Sequence, residues 1–212
     1  MNGERNGKGK EYNEYGNLRF EGEYLYNKKR KGKDYVNNRL EYEGEYLYRR
    51  KWNGIGYDEN GKVIYELNNG NGKIIKFFIK GNLKFESEYI NGKRNGKGKE
   101  YILGMLEFDG EYLNGKKWNG KGYDKNNNII YELKNGKGFI KEYTYHGKVK
   151  FVGEYLNGER NGKGKEYDFY GNLRFEGEYL NGKRNGKGIE YDETGKIIFE
   201  GQYLNGEKEI LN

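Results

Sequence analysis

One stretch of this chain is written almost twice in succession. Residues 177–200 read GEYLNGKRNGKGIEYDETGKIIFE, and residues 153–176 read GEYLNGERNGKGKEYDFYGNLRFE, differing mainly at solvent-type positions. A fixed period in the twenties marks a repeat array, in which each unit buries its apolar face only against its neighbours. Full copies begin at Gly22, Gly44, Leu67, Ser87, Gly110, Leu133, Gly153 and Gly177, with partial copies at residues 1–21 and 201–212. No Pro- or Ser-rich linker interrupts the series, so residues 1–212 are expected to form a single array. A longer period is superimposed. Residues 44–101 align with 110–167 at constant offset, Trp52 falling on Trp118 and the YEL at 65–67 on the YEL at 131–133, so a block of units is duplicated.

Within a unit the side chains alternate. In GNLRFEGEYL (171–180), Leu173, Phe175, Gly177 and Tyr179 fall on one face, with Arg174, Glu176 and Glu178 between them. Period-two alternation is the pattern of a strand with one packed and one wet face. GKGKEY (162–167) supplies a second strand, and LNGKRNG and YDETGK read as connectors rich in turn residues. No sustained helical period occurs. The fold class expected is all-β, an antiparallel meander of strand, turn, strand, turn.

Only 33% of the 212 residues are apolar, a level that by itself would suggest disorder. The 17% aromatic content, with 23 Tyr, argues for an ordered chain whose thin core is built from rings. The 36 Gly need a reason beyond turns, because glycine weakens a strand unless something approaches it closely. Rings from one strand lying over the Gly-x-Gly of its neighbour supply that reason, since a Cβ there would lift the ring. On the wet face, Lys163 or Lys165 are expected to pair with Glu176 or Glu178 across strands, setting register more than stability.

Catalytic chemistry finds no foothold. There is no Cys and one His, His146, which reads as a turn residue in YTYHGK. Carboxylates recur in every unit, whereas a catalytic site needs one asymmetric pocket. NGKG lacks the G-K-[ST] ending and the strand-to-helix setting of a phosphate loop. The expectation is therefore no enzyme, no cofactor and no metal.

Charge is the most informative functional feature. Lys plus Arg number 40 against 33 Asp plus Glu, giving +7, a mild excess. One set of connectors is basic, including NKKRKGK (27–33), RRKWN (49–53) and NGKRN (181–185). The other, including DENGK (58–62) and DETGK (192–196), is neutral to acidic. In a meander the two sets lie on opposite edges. The basic edge is densest at Lys28, Lys29, Arg30, Lys31, Arg49, Arg50, Lys51 and Trp52, the candidate surface for anionic lipid headgroups or an acidic protein face. The alternative is a solvated edge whose lysines discourage aggregation.

FEGEYLNGKRNGKG at 175–188 resembles the MORN repeat, an aromatic-x-Gly-Glu-aromatic core followed by Gly-Lys and Gly-x-Gly. It recurs as FEGEYLYNKKRKGK (20–33), YEGEYLYRRKWNGIG (42–56), FESEYINGKRNGKG (85–98), FDGEYLNGKKWNGKG (108–122) and FVGEYLNGERNGKG (151–164). Asn stands where the family often has His, and Tyr where it often has Trp, so the units are closest to a Tyr-rich bacterial-type branch. The units at Leu67 and Leu133 lose GEY, and Ser87 replaces a glycine. The resemblance implies an elongated, twisted single-layer sheet of stacked hairpins that serves as a scaffold for protein association and for phospholipid surfaces. A protein partner and an anionic phospholipid surface are the expected partners, with neither a specific nucleic acid nor a small-molecule substrate. The other reading is a sugar, nucleotide or nucleic acid bound on an exposed aromatic face. The first and last partial units offer open strands, so pairing with a second copy is expected. No apolar run opens the given sequence, and the location expected is the cytoplasm or its membrane face.

Overall fold

A computed structural model describes residues 3–78, 82–144 and 146–209. Its strands in chain order begin with β1 (Gly7–Tyr12), β2 (Leu18–Leu25), β3 (Lys28–Val36), β4 (Arg39–Leu47), β5 (Arg50–Tyr57), β6 (Val63–Leu67), β7 (Gly72–Phe77), β8 (Leu83–Ile90) and β9 (Lys93–Ile102). They continue with β10 (Met105–Leu113), β11 (Lys116–Tyr123), β12 (Ile129–Leu133), β13 (Gly138–Tyr143), β14 (Val149–Leu156), β15 (Glu159–Tyr167), β16 (Leu173–Leu180), β17 (Lys183–Tyr191), β18 (Ile197–Leu204) and β19 (Glu207–Lys208). No helix occurs among the described residues. Among the described residues the strands form three antiparallel meanders, β1–β6, β7–β12 and β13–β19, in each of which strands pair with their sequence neighbours, and no sheet closes on itself. The chain divides into two compact units, Met1–Gly98 and Lys99–Asn212.

The repeat explains itself residue by residue in β16 and β17. Asn181 and Gly182 take φ of 50° and 82°, the left-handed pair that a two-residue hairpin requires. The turn is therefore only two residues long. Lys-Arg-Asn-Gly, which the sequence reading gives to the connector, already belongs to β17. Register slips between Gly177↔Gly188 and Tyr179↔Arg184, so β17 bulges at Asn185–Lys187. Glu178 fills the bulge. Its carboxylate lies where a Cβ on Gly186 (φ 99°) would be and accepts the backbone N–H of Lys187 at 3.0 Å. The same Glu and Gly recur as Glu88 with Gly96 and Glu154 with Gly162.

Beyond the bulge, glycine meets glycine. Gly177 and Gly188 are register partners, and the tip of the Phe175 ring covers both, 2.7 Å from where either Cβ would stand. Ring-over-glycine packing thus holds, with one refinement: the ring comes from two residues earlier in the same strand and spans both strands. Phe20, Phe108 and Phe151 do the same, and all four are fully buried. The tyrosine of each GEY then packs edge-on against these phenylalanines, as Tyr179 does against Phe175 at 5.6 Å and Phe151 at 5.4 Å. Each such edge contact adds about 0.5–1.5 kcal/mol to the area buried. The core of each unit is a single file of rings.

Turns on that edge are stitched to one another. Asn53, Asn119 and Asn185 accept the backbone N–H of Asn69, Asn135 and Asn205 in the next turn at 2.7, 2.8 and 3.1 Å. On the other edge Asp58, Asp124, Asp168 and Asp192 fold over their own turns, each accepting a backbone N–H two residues on at 2.9 Å. Of the expected outer-face ion pairs, Lys165–Glu176 forms at 2.7 Å. Lys163 stands opposite Glu178 in register, but Glu178 is committed to the bulge.

The shortened units break the ladder. With GEY gone, β6 joins β7 through Asn69-Gly70 with a lone bridge, Asn68↔Asn71, and β12 joins β13 in the same way through Lys134↔Lys137. Trp52 and Trp118 pack under these turns, their rings 2.8 Å from where a Cβ on Gly70 or Gly136 would stand. Ser87 is fully buried at the glycine position it replaces.

Candidate functional site

In β3, β5 and their equivalents, a basic residue at the second position after each turn points to the ring side. Lys29 Nζ stands 3.9 Å over the Phe20 ring, Lys51 4.4 Å over Tyr42 and Lys117 4.5 Å over Phe108. Arg160 and Arg184 stand 4.0 Å over Phe151 and Phe175. A cation so placed gains about 0.5–2 kcal/mol from the ring. It also bridges carboxylates at the Lys-Glu-Tyr positions, which project on the same face.

The result is a charge ladder over each file of rings. In the first unit it runs from Glu11 through Lys29 (3.3 Å), Asp34 (3.1 Å) and Lys51 (3.9 Å) to Glu41 (3.7 Å) and Lys76 (2.9 Å). In the second unit Glu142, Arg160, Glu166, Arg184, Glu190 and Lys208 alternate, with contacts of 2.9, 2.7, 2.5, 2.5 and 2.6 Å. Lys117 pairs separately with Glu100 at 2.9 Å and Glu107 at 3.1 Å. Tyrosine hydroxyls lie buried under the ladder. Burial and the neighbouring Glu190 push Tyr203 up to about 12. The rings are roofed, so the file is not an exposed aromatic platform.

This geometry divides the eight residues of the sequence-derived basic edge. Lys29 and Lys51 belong to the ladder. Arg50 is half-buried, its stem against Gly92 and its guanidinium donating to the Asn91 carbonyl at 3.5 Å. Trp52 is half-buried under the Gly70 turn. Lys28, Arg30, Lys31 and Arg49 are exposed, and among the described residues none lies within ion-pair distance of a carboxylate. Lys31 stands in register between Glu23 and Glu45. Arg49 sits in the turn itself at φ 64°, following Tyr48 at φ 49°. The inward turn of Lys29 and Lys51 was readable only with the two-residue turn in hand, since a longer connector gives every lysine to solvent.

A second surface was not anticipated. On the outer face of β13–β18 a groove of about 710 Å³ is floored by Gly164, Gly177, Gly188 and Gly201 and flanked by Phe139, Val152 and Ile189. Glycines occupied by rings on one side leave bare backbone on the other. Phe139 is 58% exposed at its end.

The sequence model of the MORN repeat matches residues 1–13, 85–102, 151–168 and 175–197. The chain carries MORN repeats in these four segments. The segments at 151–168 and 175–197 carry the Phe, GEY and Gly-x-Gly residues that build the ring file, whereas 85–102 has Ser87 in the GEY and 1–13 keeps only the Gly-x-Gly part. MORN repeats form a non-catalytic family associated in general with protein or membrane-lipid interaction. No curated protein matches the chain.

Proposed function

We propose that this MORN array is a non-catalytic scaffold that joins protein partners and docks on anionic phospholipid through its basic edge at the cytoplasmic face of a membrane. The observation that carries the reading is a difference between the duplicated blocks. The hairpin that holds Asn114-Gly115 in one copy holds Tyr48-Arg49 in the other, at the same left-handed backbone (φ 49° and 64°). A bulky residue there costs on the order of 1 kcal/mol or more. Charge and an exposed tyrosine are thus kept at a place where the fold alone would take Asn-Gly. Lys28 and Arg30 of the neighbouring hairpin lie on the same edge, and each basic side chain near an anionic surface contributes about 1 kcal/mol. The glycine-floored groove, with apolar side chains among alternating Lys and Glu, is the surface suited to a protein partner. Association with a second copy would use β1, which pairs on one side only, with β2.

Co-sedimentation with phosphatidylserine-containing vesicles tests the lipid arm. Lys28, Arg30, Lys31 and Arg49 changed together to Ser should abolish salt-sensitive binding and leave the fold intact, because none of the four belongs to the ladder. Binding unchanged in that variant, or absent in the parent, removes lipid docking. A monomeric mass by light scattering at tens of micromolar removes self-association.

A further inference from the structure

The lysines of the first unit's ladder are not held alike. Lys29 reaches Asp34 at 3.1 Å and Glu11 at 3.3 Å, and Lys76 reaches Glu41 at 2.9 Å. Between them Lys51 lies 3.7 Å from Glu41 and 3.9 Å from Asp34, beyond hydrogen-bond reach. Both carboxylates are closer to the flanking lysines. The Lys51 ammonium stands 4.4 Å over the Tyr42 ring and donates to the Tyr65 hydroxyl oxygen at 3.2 Å. At the same position of the second copy, Lys117 holds Glu100 at 2.9 Å and Glu107 at 3.1 Å.

Beside Lys51 lies a cavity of about 190 Å³ walled by Ile74, Phe85 and Tyr89, with Glu41, Arg50 and Lys76 completing its charged lining. The Lys51 side chain is 22% exposed, enough for a small molecule to reach the amine. Burial pushes that amine below its ordinary value, Glu41 and Asp34 opposing the shift and Lys76 adding to it. A buried lysine beside a second ammonium is the setting of an amine that reacts in its neutral form. Lys76 is engaged by Glu41, whereas the Arg50 guanidinium meets a neutral acceptor, the Asn91 carbonyl, at 3.5 Å.

We infer that Lys51 captures a small 2-oxo carboxylate, its amine condensing with the carbonyl carbon while Arg50 pairs with the carboxylate. The neutral amine adds to the carbonyl, so that a C–N bond forms and the carbonyl oxygen becomes a hydroxyl. That oxygen then leaves as water with the two amine protons, and the imine remains. The Tyr65 hydroxyl, kept protonated by burial, is placed to relay a proton between nitrogen and oxygen. The product is a covalent modification without turnover. The inference stands apart from lipid docking, which is tested on other residues.

The test is reductive trapping with glyoxylate and sodium cyanoborohydride at about pH 7.5, each lysine read by peptide mass spectrometry. In the parent, Lys51 should label about ten-fold faster than Lys117 and than the exposed Lys8. Acetaldehyde, which has no carboxylate, should lose about ten-fold of the preference for Lys51 over Lys8. R50M should lose as much with glyoxylate. K76M removes the neighbouring ammonium and returns Glu41 to Lys51, so labelling there should slow about ten-fold. An amine that was merely accessible would not slow. Lys51 labelled no faster than Lys8 or Lys117, acetaldehyde as selective as glyoxylate, R50M as selective as the parent, or K76M as fast as the parent overturns the inference. The lysines are compared within the parent protein, so that result stands should either variant fold poorly.

Discussion

The two copies of the duplicated block share their packing and differ in their charge. Gly56 and Gly122 stand in the same relation to Tyr65 and Tyr131, with a Cβ at either 2.0 Å from the ring Cε1. Trp52 and Trp118 pack under matching turns. Over that common frame, Glu41 faces two ammonium groups, Lys51 and Lys76. Among the described residues Glu107 faces one ammonium group, that of Lys117, which also pairs with Glu100. Burial opposes charge on both lysines, and the balance falls differently. Lys51 ends below the ordinary value with Lys76 adding to the depression, whereas Glu100 and Glu107 hold Lys117 well above it. Rings and glycines fix where a charge sits, and the neighbours fix what state it takes.

The largest effects should be those that leave the comparison untouched. Gly56→Ala and Gly122→Ala each drive a methyl into a buried tyrosine ring and should cost about 3 kcal/mol, at the upper end for overpacking. The two costs should agree in urea denaturation, and a large inequality would show that the frames are not equivalent. Gly164→Val should likewise destabilise far more than Lys163→Val, whose side chain faces solvent.

Next come the carboxylates, where the copies should part in sign. Glu41 has a depressed folded pKa, so its contribution is present above the ordinary value of 4.5 and is lost as pH falls through the folded value. Glu41→Gln should cost about 2 kcal/mol near pH 7, leaving Lys51 and Lys76 facing each other. Glu107 has a raised folded pKa, so its contribution is present below the ordinary 4.5 and is lost as pH rises to about 7. Glu107→Gln should therefore stabilise by about 1–2 kcal/mol at about pH 8 and by little at about pH 5. Thermal melts of both variants across that range would show curves that cross, and parallel curves would erase the distinction.

The turn exchange follows. Tyr48→Asn with Arg49→Gly gives the first copy the hairpin of the second and should stabilise by about 1 kcal/mol while weakening vesicle binding. Smallest is the outer-face pair, Lys165–Glu176, with the lysine half-exposed. Lys165→Ser should move stability by less than about 1 kcal/mol, and salt should screen the change.

How much of this was legible in the sequence follows from which interactions are periodic. Phe175, Gly177 and Tyr179 recur at spacing two, so the ring file and its glycine bed could be read directly. The connector LNGKRNG could not, because Asn-Gly turns and a glycine bulge use the same residue types, and only backbone φ tells Gly182 from Gly186. That ambiguity hid the inward course of Lys29, Lys51 and Arg184, and with it the ladder. It also hid why Asn185 is placed where it is, since its partner, the backbone N–H of Asn205, lies in another turn. Glu142 in place of Lys76 is visible in the aligned copies, but its consequence at Glu107 needed the third dimension.

The most direct measurement is a side-chain carboxyl NMR titration of Glu41 and Glu107 in the same sample. The midpoint of Glu107 is expected near 7 and that of Glu41 below the ordinary 4.5. Two midpoints together in the ordinary carboxylate range would contradict the missing cation in the second copy.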